Sequence, residues 1–116
     1  MALFLDWKRL LIRLKLNFIR GKIMWIITKD HLDDGAEGTC SRNFDKEQFE
    51  TLKQEKFKIY DDDGELYYEG IFAYHKSDWE TSGCPEGFEP LDDFATPNAG
   101  ATEIHYDDGA GNFIQL

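Results

Sequence analysis

Asp61, Asp62, Asp63 and Gly64 are the residues whose types most suggest chemistry. Clustered carboxylates beside a glycine can cradle a calcium ion. In the helix–loop–helix calcium site the obligatory glycine is the sixth of twelve loop positions, and the first and last positions carry carboxylates. Placing Gly64 sixth puts Ile59 first and Gly70 last, so that motif fails. The same residues suit a bend between two strands. A glycine late in a short loop takes positive φ and closes a hairpin through a bulge. Aspartates favour such corners because their side chains bind nearby backbone N–H groups. The bend is the expected reading, with the negative groups turned to water.

Other constellations are weaker. Glu86, Glu89, Asp92 and Asp93 crowd a segment that also carries Trp79 and Phe88. Paired carboxylates beside aromatics suit acid–base work on a sugar. Such work requires a raised pKa and a cleft, and a loop carboxylate in an acidic chain is more often a solvated charge. His31, His75 and His105 stand with Cys40 and Cys84 at spacings unlike those of zinc motifs. Serine-hydrolase, phosphate-loop and dinucleotide motifs are absent. Tyr67 and Tyr68 would make a base-stacking platform only among lysines and arginines. Their neighbours are Asp61, Asp62, Asp63, Glu65 and Glu69, so Tyr68 is expected in the core and Tyr67 on the opposite face. The expectation is a protein without catalytic residues, metal or cofactor.

Charge narrows the partners. Residues 1–23 hold six basic groups and one acid, a net of +5, whereas the other 93 residues hold seven basic groups and 22 acids, a net of −15. A body so acidic repels phosphate, which disfavours direct nucleic-acid binding. Two cysteines make no disulfide scaffold and suit a reducing, cytoplasmic compartment. Charges interrupt the N-terminal apolar run, and no stretch reaches the roughly 18 apolar residues of a membrane span.

The elements that would position these residues follow from periodicity. Residues 1–23 read as a basic amphipathic helix, with Leu3, Trp7, Leu10, Leu11, Leu14 and Phe18 on one stripe and Asp6, Arg9, Arg13, Asn17 and Arg20 on another. The alternation in "RLKLNF" leaves a strand as the rival. "IMWIIT", 23 to 28, is a buried strand that stops at the turn chemistry of "KDHLDDGAEG"; "TCSRN" is an edge strand or a loop. Asp45 is a helix N-cap with Gln48 three residues on, and Phe44 and Phe49 can staple across it. That helix is expected at about 46–54, with Phe49 and Leu52 packed on the sheet. "KFKIY" and "ELYYEGIFAY" alternate as the arms of one hairpin, and "TEIHY" and "NFIQL" as those of a second, with Ile104 and Tyr106 on one face. Residues 75–101 hold all three prolines and several large apolar groups; "PLDDFA" suits one helical turn after Pro90 that pins the loop onto the sheet.

The expected fold is therefore α+β: a mostly antiparallel sheet of four to six strands built from hairpins, one short helix, and an N-terminal amphipathic helix. It divides into an extension, 1–23, and an acidic domain, 24–116.

The segments "MWIITKDH", "FKIYDDDGELYYEG" and "FEPLDDFATPNAGATEI" resemble a group of small bacterial proteins without established activity, some associated with phage or plasmid genes. The resemblance spans roughly 24–116 and is strongest at 57–70 and 88–104. Members of that group usually begin at the position of Met24 and often carry Cys where this chain has Ala101. The resemblance implies that residues 1–23 are an appendage, and it transfers no catalytic residue.

Three functions are compatible with these features. The first is a non-catalytic interaction module that binds another protein through Trp79, Phe88, Leu91, Asp92, Asp93 and Phe94, or through an open sheet edge. The second is an acidic nucleic-acid mimic that occupies the basic cleft of a defence nuclease. Same-face residues on a strand are spaced about 6.6–6.8 Å, close to the phosphate repeat. In the third, Trp7, Leu10, Leu14 and Phe18 attach the chain to a membrane surface, against the alternatives that this helix covers an apolar face of its own sheet or joins a second copy of itself.

Overall fold

A computed structural model describes residues 23–75 and 87–116. The N-terminal helix expected over 1–23 lies outside the described residues, as do Trp7, Leu10, Leu14, Phe18 and Trp79.

Five antiparallel strands form one sheet: β1 (Met24–Asp30), β2 (Lys53–Tyr60), β3 (Leu66–Tyr74), β4 (Glu103–Asp107) and β5 (Phe113–Gln115). Their spatial order is β1-β3-β2-β4-β5. Hairpins join β2 to β3 and β4 to β5. The longer connections cross over, one carrying β1 past β3 to β2 and the other carrying β3 past β2 to β4.

Alternation sorts the side chains onto two faces. On the core face Trp25, Ile27, Phe57, Ile59, Tyr68, Phe72 and Ile104 are buried beneath Ala36, Leu91, Ala95 and Ala101. On the outer face a buried apolar cluster lies at one end, where Met24 and Ala73 meet Phe49 within a rim of Ile26, Phe44, Leu52 and Ile71. Gly70 sits in mid-sheet opposite Phe57. A Cβ there would overlap the Ile26 carbonyl oxygen and the Phe57 ring, so the close approach of backbone and ring requires glycine.

The helix that covers the outer face, α1, spans Lys46–Thr51. Its cap is the expected one: Asp45 accepts from the N–H groups of Glu47 and Gln48, at 3.0 and 3.3 Å. Phe44 and Phe49 staple it with ring centroids 5.1 Å apart. It ends three residues earlier than the expected boundary of about 54. Leu52 is already extended, and Lys53 pairs with Tyr74 as the first rung of β2. Ladder pairing with β3 outweighs the helix propensity of Lys53 and Gln54.

The segment after residue 86 is more helical than one turn. The backbone is helical from residue 89 to residue 99. A π-helical turn, Leu91–Ala95, runs into α2, Thr96–Ala99. The Thr96 N–H reaches the Leu91 carbonyl, one residue farther back than in an α-helix. Pro97 has no N–H for the Asp93 carbonyl, and its ring would press on that group. The widened turn directly before it relieves the conflict. Gly100, at φ 71°, ends the helix.

Candidate functional site

The aspartate–glycine corners are built alike. In the β2–β3 corner the Asp61 carboxylate accepts from the N–H groups of Asp63 and Glu65, at 2.9 and 2.8 Å. Gly64 takes φ 79°. The Glu65 N–H is the largest influence on Asp61 and holds its pKa below the ordinary value. Asp62 and Asp63 are exposed. Tyr67 departs from its expected place on the face opposite Tyr68. A bulge between Ile59 and Tyr60 shifts the register, and Tyr67 packs at the margin of the main core, its hydroxyl bonded to Asp61.

In the β4–β5 corner Asp107 accepts from Gly109 and Gly111, and Asp108 from Ala110 and Asn112. After β1, the Asp30 carboxylate accepts from the N–H groups of Leu32, Asp34 and Ala36, at 2.8–3.0 Å. Desolvation pushes the Asp30 pKa up, yet these bonds and the Asp34 side chain outweigh it and hold the group at about 2. Next to it the Tyr68 hydroxyl donates to Asp34 Oδ2 at 3.1 Å and accepts from the Asn98 amide at 2.9 Å. Desolvation is the main cause that raises Tyr68 to about 12. The carboxylates at these corners hold loops together. Among the described residues no group of three His, Cys, Asp or Glu is arranged to hold a metal ion.

The three histidines lie apart in their roles. His31, past the end of β1, sits 2.8 Å from Glu69 Oε2. His105, in β4, lies against Tyr60 with ring centroids 4.5 Å apart, its Nε2 3.7 Å from Glu103. His75 is exposed just beyond β3. Lys58 stands between Glu69 and His105 in the ladder and covers the Phe113 ring at 4.3 Å. The open part of the outer face therefore interleaves both signs of charge.

A carboxylate–aromatic cluster that the sequence reading missed lies on the core face. The Tyr74 hydroxyl donates to Glu55 Oε1 at 3.0 Å. The Tyr106 hydroxyl donates to the Gly87 carbonyl at 2.6 Å. Burial, with Glu89 and Glu55 adding their charge, pushes the Tyr106 pKa well above its ordinary value. Glu55 is two residues before Phe57 and four before Ile59, so the period of two already assigned it to the core face.

The proposed binding segment divides in two. Leu91 is 6% exposed, and Phe94 lies against Trp25 and Tyr68 with centroids 6.0 and 5.2 Å away. Both pin the helix to the sheet. Phe88, Asp92 and Asp93 face solvent.

The exposed large apolar residues among those described are Phe88, Ile114 and Leu116, at 40, 58 and 45%. They share a corner. Leu116 Cδ2 lies 3.0 Å from the place a Cβ would take on Gly87, the residue before Phe88. Ile114 is two residues before Leu116, on the side of β5 that Tyr106 occupies in β4. The corner adjoins the outer edge of β5, which is unpaired among the described residues. At the opposite edge the backbone of β1 is engaged by Gly38, Thr39 and Ser41, which bond to Ile27 and Trp25 at 2.7–2.9 Å. Ile114 and Leu116 carried no signal in the sequence, because an alternating strand reads the same whether covered or bare. Comparison with known protein families, with curated proteins and with solved structures finds no match to this chain.

Proposed function

We propose that this protein is a non-catalytic interaction module that binds another protein at the corner formed by Phe88, Ile114, Leu116 and the free edge of β5. One observation carries this reading: the bare large apolar groups gather at the one strand edge left open among the described strands. Exposed apolar surface beside unpaired backbone suits a partner that adds a strand and buries its own apolar side chains. Asp92 and Asp93 are exposed on the neighbouring helix. The resemblance noted above adds a bacterial or mobile-element accessory role, and the cysteine usage a cytoplasmic one. No helix among the described residues is long and apolar enough to cross a membrane. The test is capture from the source cell by the wild type and by a Phe88→Ser, Ile114→Ser double variant of unchanged fold. Loss of a specific partner is expected, and equal capture by both would remove the reading.

A second reading, the nucleic-acid mimic, draws support from where the corners fall. β1 ends beside the start of β3, at Asp30 opposite Tyr68, and β2 ends there too, at Tyr60 opposite Leu66. Both acidic loops therefore leave the same end of the sheet, carrying Asp33, Asp34, Glu37, Asp62, Asp63 and Glu65. The spacing of acids along a strand adds nothing, since Lys58 separates Glu69 from the acids of β4. Displacement of DNA from a nuclease by the wild type, lost when Asp61, Asp62 and Asp63 become asparagine, is the expected result; no displacement would end it.

A further inference from the structure

Among the described residues the outer edge of β5 is unpaired, and a copy of itself can satisfy its register fully. The Leu116 N–H bonds to the Ile104 carbonyl and the Asp108 N–H to the Asn112 carbonyl, each at 2.9 Å. These bonds place the backbone groups of residues 112, 114 and 116 toward β4. Antiparallel ladders alternate, so the N–H and C=O of Phe113 and Gln115 point to the open side. A two-fold axis through Ile114 sets Phe113 opposite Gln115 of a second copy, and Gln115 opposite its Phe113. All four outward groups on each side then find partners, as four hydrogen bonds. Ile114 meets its own counterpart in the closely spaced, non-hydrogen-bonded position, about 4.5 Å between Cα atoms.

Charge points the same way. The chain carries −10, yet Asn112, Phe113, Ile114, Gln115 and Leu116 have no charged side chain. Two acidic copies repel most approaches, and this strand brings neutral side chains together. Edge strands are ordinarily guarded by a short length, lysine, proline or a bulge, and β5, at three residues, has the first of these alone. No lysine or proline stands in this one, and its pairing with β4 is regular. We infer that β5 pairs with β5 of a second copy, joining two five-stranded sheets into one ten-stranded sheet with isologous symmetry. This rests on the reading of the β5 corner as an interaction surface and names its occupant.

Proline at position 115 separates the edge from the fold, because the Gln115 N–H faces outward and makes no bond to β4. Sedimentation of the full chain is expected to give twice the monomer mass at high concentration. Gln115→Pro should return the monomer mass with an unchanged unfolding midpoint. A wild type that stays monomeric, or a dimer that survives Gln115→Pro, overturns the inference. If Gln115→Pro fails to fold, cross-linking decides instead. With Cys40 and Cys84 changed to serine, Ile114→Cys should form an intermolecular disulfide and Ala110→Cys should not; equal cross-linking of the two overturns it. A monomeric wild type that still loses a foreign partner on Phe88→Ser, Ile114→Ser would remove the dimer and leave the interaction-module reading standing.

Discussion

The two hairpins begin from the same corner and end in different states. Both corners lock an aspartate onto N–H groups two and four residues on, and both contain glycine at positive φ. The inner hairpin, β2–β3, continues as strands of eight and nine residues with neighbours on either side. The outer one, β4–β5, stops after three residues of β5, with Ile114 bare. Corner chemistry thus directs a reversal of the chain, and it does not hold the arms together. What holds them is burial of alternate side chains and a pairing partner on each edge. The inner hairpin has both and should unfold only with the whole domain. The outer one has no edge partner among the described residues and, in the monomer, should open locally at much lower free energy.

The largest expected effect strikes the inner hairpin at Gly70. Gly70→Ala forces a methyl group against Phe57 and the Ile26 carbonyl and should cost about 3 kcal/mol, measured by urea unfolding. A loss below about 1 kcal/mol would mean that the sheet centre yields more readily than the packing implies.

Next, Phe94→Ala removes a ring that rests on Tyr68 of the inner hairpin, and a loss of about 2 kcal/mol is expected. Phe88→Ala, at the outer corner, should stay within about 0.5 kcal/mol of the wild type. Equal losses would erase the distinction between the two regions.

Asp30→Asn tests the loop that docks on the start of β3, and should cost about 1.5 kcal/mol near neutral pH. The sign of its pH dependence follows from the folded pKa of about 2, below the unfolded value of about 3.9. The wild type's advantage is complete above the unfolded value. It fades as pH falls through about 2, where the folded carboxylate also takes its proton. An advantage that persisted unchanged into that acid range would show that Asp30 is not the group that titrates.

The smallest effect sharpens the comparison most. Asp61→Ala should lower the global unfolding midpoint. Asp107→Ala should leave the midpoint in place and speed amide exchange only in residues 108–116. Equal shifts from the two variants would show the hairpins to be one cooperative unit.

Much of this was legible beforehand. Asp45, Phe44 and Phe49 marked a helix start because capping and stapling are settled within five residues. The hairpin arms were legible because period-two alternation needs no distant partner to be visible. The end of α1 was not, since Lys53 joins β2 only because Tyr74 lies opposite it. The helical turn after Pro90 was legible, but its continuation to Ala99 was not, nor whether Leu91 and Phe94 form a binding surface or act as anchors. Trp25 and Tyr68, far away in sequence, make them anchors.

The order of residues by itself determined the corners, the helix cap, the inward and outward alternation and the acidic charge, because each depends on bonds and repulsions between near neighbours in the chain. Only the tertiary structure decided that β3 lies between β1 and β2, that Gly38, Thr39 and Ser41 close one edge of the sheet, and that β5 leaves the other unpaired among the described residues. Strand order is set by which apolar faces meet across long loops, and no local pattern records that meeting.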